Sequence, residues 1–295
     1  PEHPLGHSVM PDPLLAALDE AITRNERISH HTAQRFVSAT PEPGLITLTL
    51  ESGAQIKSRL LVGADGMNSP VRQAAGIATE GRDYEKSVFT ANVKLSRPHD
   101  GIARQLFTPE GPFATLPLLG DRANLAWYMK RGAAETLAAQ PIPDIESELN
   151  ARFADFSGDM KIDGKAGSYP LILQLATELV ADRTALIGDA ARRVNPLAGQ
   201  GLNQGFRDVA ALIEITQETL RGGGEIGSPQ MLEAYSQTRR FDAASTALGL
   251  DAIDRLFSND SMLTTPIRTI GMLAASRISP LRRMLARKAS ATEDA

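Results

Sequence analysis

Cysteine is absent from this chain of 295 residues. Its absence removes disulfides, thiolate nucleophiles and cysteine-ligated zinc or iron–sulfur centres from consideration. No apolar run approaches the roughly 20 residues needed to span a bilayer. An excess of one charge is lacking too, with 31 Lys and Arg against 35 Asp and Glu. At a net charge of −4 a nucleic-acid partner has no global electrostatic support. The histidines His3, His7, His30, His31 and His99 show no metal-ligand spacing, and none pairs visibly with Asp or Ser. There is no Gly-Lys-Ser/Thr, which excludes a P-loop. No internal repeat or low-complexity tract is present. The first residues, Pro1-Glu2-His3-Pro4, contain no Met and do not read as a signal peptide, so a preceding segment is expected. What is there is an ordinary soluble globular balance, 42% hydrophobic and 22% charged, and with the lack of cysteine a cytoplasmic protein is expected. The length exceeds that at which one core usually stops growing, so one large or two joined domains are expected.

Residues 184–220 organise the rest. Thr184–Ile187 is a short apolar run, readable as a buried strand. Gly188 stops it, and Asp189 follows at its carboxyl end, where open α/β sheets bind ligands. A carboxylate there can accept hydrogen bonds from sugar or sugar-alcohol hydroxyls. Pro196-Leu197-Ala198-Gly199-Gln200-Gly201 then leads into a helix whose stripe is read as Leu202, Phe206, Val209, Ile213 and Leu220. Two glycines at the entrance let a flat ligand approach the backbone. The first helical amides lack internal partners and carry partial positive charge, which suits an anionic group.

A second strand–turn–helix unit lies earlier, at Leu60 to Arg72. Asp65-Gly66 falls at the strand's carboxyl end, Ser69 is a helix cap, Pro70 the first helical residue, and Gly76 the stop. Before it, residues 5–10 read as a short strand. A helix then starts with Asp12 as cap and Pro13 at its first position, burying Leu14, Leu18 and Ile22. Residues 45–50 and 54–62 read as a hairpin around Glu51-Ser52-Gly53. Strands follow at 87–95, 103–108, 113–119 and 123–130, with the lone Trp127 read as core, and a helix at 144–156. Arg221-Gly222-Gly223-Gly224 is a break. Beyond it, helices are expected at 230–257, 261–275 and 279–290. The last carries Arg277, Arg282, Arg283, Arg287 and Lys288 around an apolar side. Such an end is either a solvated face or one that lies on an anionic membrane surface.

The runs Gly188-Asp189-Ala190-Ala191, Pro196-Leu197-Ala198-Gly199-Gln200-Gly201-Leu202-Asn203 and Arg207-Asp208, with Asp65-Gly66 and Arg72 in the same order, carry a resemblance. They resemble the FAD-dependent aromatic hydroxylases related to para-hydroxybenzoate hydroxylase, above all the UbiH/VisC-type branch of ubiquinone biosynthesis. The resemblance implies a mixed α/β fold. A Rossmann-like FAD/NAD(P)-binding domain (1–81 and 168–220), lacking its N-terminal strand, would join an antiparallel-sheet substrate domain (82–167) and a C-terminal helical region (221–295). It implies an FAD-dependent monooxygenase that hydroxylates an aromatic ring, a prenylated phenol on the way to ubiquinone, with NAD(P)H and O2 through a flavin C4a-hydroperoxide. Cofactor-binding roles carry over to Asp65, Gly66, Arg72, Gly188, Asp189, Pro196, Gly199, Gln200, Gly201, Leu202 and Asn203, and no catalytic side chain is assigned. Expected partners are a small aromatic substrate and O2, with self-association, hydroxylation-complex proteins and contact with the inner membrane as further expectations. The alternatives are a flavin hydroxylase or epoxidase with another substrate, and a non-catalytic flavoprotein-like binding subunit. The resembled family opens on strand–Gly-x-Gly-x-x-Gly–helix, followed by an acidic residue for the ribose, and neither is found here. The 295 residues alone are therefore expected to bind FAD poorly. Many relatives have His where Arg192, Arg193 and Asn195 stand.

Overall fold

A computed structural model describes residues 6–194 and 200–240. Helix α1 (Pro11–Arg24) comes first. Strands β1 (Phe36–Glu42), β2 (Leu45–Leu50) and β3 (Gln55–Ser58) form an antiparallel meander. Then come β4 (Leu61–Gly63) and the short helix α2 (Pro70–Ala74). The long β5 (Thr79–Leu95) leads to β6 (Arg104–Phe107), β7 (Pro112–Pro117) and β8 (Arg122–Lys130). Helices α3 (Arg131–Ala138) and α4 (Ile142–Ser157) precede the long β9 (Met160–Ala176). The last described stretch holds β10 (Val180–Ala181), β11 (Thr184–Leu186), a 3-10 turn at Gly188–Ala190, β12 (Arg192–Arg193), α5 (Gln200–Arg221) and a helix, α6, over 229–240.

The chain divides into two units. One takes Glu85–Leu171 with the described residues up to Ile28; the other takes Ser29–Tyr84 and the described chain from Ile172 onward. In the first, β8 alternates with period two, so that Ala123, Leu125, Trp127 and Met129 are all buried on one face. Antiparallel pairing puts Phe89 opposite Trp127, Ala91 opposite Leu125 and Val93 opposite Ala123. Against that face lie Ile145, Leu149 and Phe153, spaced by one helical turn along α4, and Leu137 of α3. Phe153 stacks on Phe113 at 3.8 Å and meets Trp127 edge-on at 5.0 Å. Burying side chains of this size contributes about 1.5–3 kcal/mol each, and Trp127 is core, as expected.

The second unit is built on a parallel pair, β4 with β11, flanked by β10. Val71, Ala185, Leu186, Leu212, Ile215, Met231, Leu232 and Tyr235 form its core. Helix α6 therefore belongs to this unit and is not part of a separate C-terminal region, at least over its described residues. The mixed α/β class is borne out, with its parallel pair and antiparallel sheets.

Several local expectations change. Residues 6–10 are irregular. Helix α1 is capped at Met10, with Asp12 inside its first turn, and buries nothing; Leu18 is 46% exposed. The arm expected over 54–62 breaks at Arg59, so that β3 completes the meander while β4 enters the parallel pair. β1, α3 and β9 were not anticipated. β1 carries Ser, Thr and Pro among its apolar residues, and α3 is a short alanine-rich run. The largest change is in α5. Its expected stripe is exposed: Leu202 60%, Phe206 49%, Val209 38%, Ile213 52% and Leu220 50%. The buried residues are Gln204, Asp208, Ala211, Leu212 and Ile215, on the opposite side. The helices expected at 261–275 and 279–290, and the basic residues of the latter, lie outside the described residues.

Candidate cofactor site

The two aspartate motifs meet because their strands run side by side. Thr184, Ala185 and Leu186 pair in parallel with Leu61, Val62 and Gly63, and the Ile187 amide continues the ladder to the Gly63 carbonyl at 2.9 Å. Both carboxyl ends therefore face the same way, and both motif loops leave from one end of the sheet. Gly63 lets side chains of β11 and α2 pack closely over the pair. A Cβ there would lie 2.8 Å from Leu186 Cδ2 and 2.9 Å from Val71 Cγ1. Beyond the strands, Gly66 and Gly188 take left-handed conformations, with φ of +83° and +58°.

The Asp65 carboxylate serves its own loop. It accepts from the Ser69 hydroxyl and, at 3.0 Å, from the Val71 amide. Ser69 in turn accepts from the Arg72 amide at 2.9 Å. Two of the orphan amides at the start of α2 are thus satisfied by side chains. Arg72, 5% exposed, spends its guanidinium on main chain: Nη1 donates to the Ala190 carbonyl at 2.8 Å and Nη2 to the Met67 carbonyl at 2.7 Å. The Met67 carbonyl also accepts from Gln174 Nε2 at 3.0 Å. Arg72 is therefore a strap from the Asp65-Gly66 loop to the Gly188-Asp189 loop.

The second loop is held from its other side by α5. Asp208, fully buried, accepts from the Gly188 amide at 2.9 Å, from Arg192 Nη1 at 2.7 Å and from Arg239 Nε at 2.7 Å. Arg239 also donates to Gln204 Oε1 at 3.1 Å. The Tyr235 hydroxyl donates to the Leu186 carbonyl at 2.8 Å. Burial raises the Tyr235 pKa well above the ordinary tyrosine value, and the Asp208 charge adds to this.

Asp189 stands apart. It is exposed, and its carboxylate has no hydrogen-bond or ion-pair partner among the described residues. At the start of α5, Leu202 and Asn203 are exposed and Gly201 is half-buried. A Cβ on Gly66, Gly188 or Gly201 would meet open space. Pro196 and Gly199 lie outside the described residues, as does the side chain of Gln200. The sequence placed Asp208 in a motif run and Arg192 in the loop before it but gave neither a role, and Tyr235 and Arg239 were missed altogether. The available signal was a charged residue, Asp208, inside an otherwise well-formed helix. Among the described residues no group of His, Asp and Glu could hold a metal ion, and no helix is long and apolar enough to cross a membrane.

With this geometry in hand, comparison with known proteins is decisive. The FAD binding domain family matches residues 21–247. The chain belongs to that family. It is 40% identical to the ubiquinone hydroxylase UbiL of Rhodospirillum rubrum over 84% of this chain and 58% of UbiL. It is 32% identical to the 3-demethoxyubiquinol 3-hydroxylase of Escherichia coli, over 95% of this chain and 71% of that enzyme. Among solved structures, p-nitrophenol 4-monooxygenase PnpA from Pseudomonas putida shares the fold. Its TM-score is 0.77 at 18% identity, over 94% of this chain and 71% of PnpA. The resemblance to the ubiquinone-biosynthesis hydroxylases is thus borne out. The chain spans about 58% of the length of UbiL.

The described residues fit the flavin end of FAD. Asp189 offers an exposed acceptor for ribityl hydroxyls, without a partner among the described residues, and a Cβ at Gly66, Gly188 or Gly201 would meet no atom within 4 Å, so the backbone at each can be approached closely. Asp65 and Arg72, by contrast, are already committed to holding the two motif loops.

Proposed function

We propose that this chain is the FAD-binding and substrate-sheet part of a monooxygenase that hydroxylates the ring of a prenylated phenol in ubiquinone biosynthesis. The observation that carries the reading is the parallel β4–β11 pair, which brings both motif loops to one sheet end, with Asp189 there exposed and without a partner among the described residues. Bound FAD would supply reduction by NAD(P)H and activation of O2 for transfer to an electron-rich ring. The protein's own work is then orientation and electrostatics. Asp189 accepts from the ribityl chain. The first amides of α5 turn partial positive charge toward the N1–C2 edge of the ring. Ser69, Arg72 and Asp208 hold these groups in place through the main chain. No proton-transferring side chain is called for. The basic residues between Arg277 and Lys288 suit contact with an anionic membrane surface, where a prenylated substrate would be met.

The test uses the full-length protein. It should purify with FAD or take it up stoichiometrically. With a prenylated phenol and labelled dioxygen it should consume NAD(P)H and place one labelled oxygen on the ring, read by mass spectrometry. A full-length protein that holds no flavin would instead favour a non-catalytic binding subunit. Flavin without label in the product would point to another substrate.

A further inference from the structure

We propose that Asp208 is a positioning residue, which presets Gly188 and through it the aim of Asp189. The inference rests on the reading of Asp189 as the ribityl acceptor. The exposed Asp189 carboxylate has no partner among the described residues, so among these no side-chain contact fixes its direction. Direction must come from the main chain one residue earlier, and there the control is tight. Gly188 sits at φ +58°, a conformation that leaves a glycine many alternatives unless something outside holds it. Its amide donates to Asp208 Oδ2 at 2.9 Å, which sets the peptide plane entering the turn. Oδ1 of the same carboxylate accepts from Arg192 after the turn and from Arg239 on α6, both at 2.7 Å.

One carboxylate on α5 therefore fixes the turn before and after Asp189 and ties both to a second helix. Helix and turn are also close. A Cβ on Gly205, three residues before Asp208 on the same helix, would touch Gly188 Cα at 3.5 Å. The buried face of α5 carries this carboxylate at zero exposure, where a hydrogen bond to a charged group is strong and its loss costly. Asp208 need not touch the flavin to set the flavin's contacts.

The prediction is one of coupling. In the full-length protein, Asp208→Asn keeps the shape but removes the charge and misplaces a donor. FAD affinity, measured by fluorescence quenching, should fall roughly tenfold or more, as for losing a hydrogen bond to a charged group. The decisive variant is Asp208→Asn in an Asp189→Ala background, as a double-mutant cycle. If Asp208 acts through Asp189, the second substitution should cost almost nothing once Asp189 is gone. Independent, multiplying losses would mean a merely structural role and overturn the proposal. Arg192→Gln, which spares the carboxylate and breaks one arm, carries the same cycle should Asp208→Asn not fold; it should show a smaller loss that also vanishes with Asp189→Ala. Asp189→Ala with undiminished FAD affinity would overturn both this inference and the ribityl assignment. Wild-type protein that binds no FAD would overturn the proposed function itself.

Discussion

Replacing Arg72 by Met separates two roles for this residue. The aliphatic stem stays, and the guanidinium that links the two motif loops goes. The Met67 carbonyl keeps Gln174 Nε2 at 3.0 Å, so that end is not stripped. The Ala190 carbonyl has no other donor among the described residues, and Ala190 is fully buried. An unsatisfied buried acceptor costs about 1–3 kcal/mol, and the lost bond to Met67 adds about 1 kcal/mol. Relief from burying a guanidinium offsets part of this. The net loss should be about 2–3 kcal/mol, which for a domain of this size lowers the thermal midpoint by roughly 4–12 °C. Thermal unfolding of flavin-free protein measures it directly. If Arg72 instead met the cofactor itself, Arg72→Met would leave the flavin-free midpoint unmoved and lower only FAD affinity. That pattern would refute the strap.

Other substitutions probe the remaining parts. Asp189→Ala in the full-length protein should weaken FAD binding roughly tenfold to a hundredfold, with the flavin-free midpoint unchanged, since its carboxylate has no partner among the described residues; equal affinity in a quenching titration would remove Asp189 from the site. Gly63→Ala should cost about 1–3 kcal/mol through overpacking, because the added methyl lies 2.8 Å from Leu186 Cδ2 and 2.9 Å from Val71 Cγ1; a midpoint equal to wild type would show that these side chains can give way freely. Tyr235→Phe should cost about 1 kcal/mol near neutrality by leaving the Leu186 carbonyl unpaired. The folded state also resists ionising Tyr235, chiefly by burial, so its pKa is raised above the ordinary 10.0. Its contribution is thus complete below pH 10 and is lost as pH climbs above that, where the unfolded chain ionises and the fold does not. Stability curves across that range should be flatter for Tyr235→Phe than for wild type, and parallel curves would contradict the assignment.

What was legible in the sequence is what local chemistry controls. The strand–glycine–aspartate pattern fixed both β4 and β11, and Ser69 and Pro70 fixed the start of α2, because a cap and a restricted φ act within a few residues. The turn residues Pro109-Glu110-Gly111-Pro112 and Gly120-Asp121 bounded β6, β7 and β8 to within a residue or two. The continuation of β5 back to Thr79 and the whole of β9 were less legible, because polar and glycine-rich runs such as Asp163-Gly164-Lys165 become strands through a partner and not by propensity. The site divided in the same way. Asp189 could be read from its place after a strand. The commitments of Asp65 and Arg72 to main chain could not, since the Arg72–Ala190 bond joins residues 118 positions apart.

Helix α5 shows why periodicity alone picks the wrong face. It carries two stripes on opposite sides, one purely apolar and one containing Gln204 and Asp208. Ranking by hydrophobicity buries the first. The structure buries the second, because Asp208 there is met by Gly188, Arg192 and Arg239 and so pays no unpaired desolvation penalty. Ala211, Leu212 and Ile215 supply the apolar contact on the same side. A buried charge with three donors is a costly thing to satisfy anywhere else, so it sets the rotation of the helix, whereas an apolar stripe will accept any cover. That rotation points the side of Asp208 at the Gly188 turn, one residue before Asp189. The same polar residue that spoils the pattern in the sequence is the one that orders the site.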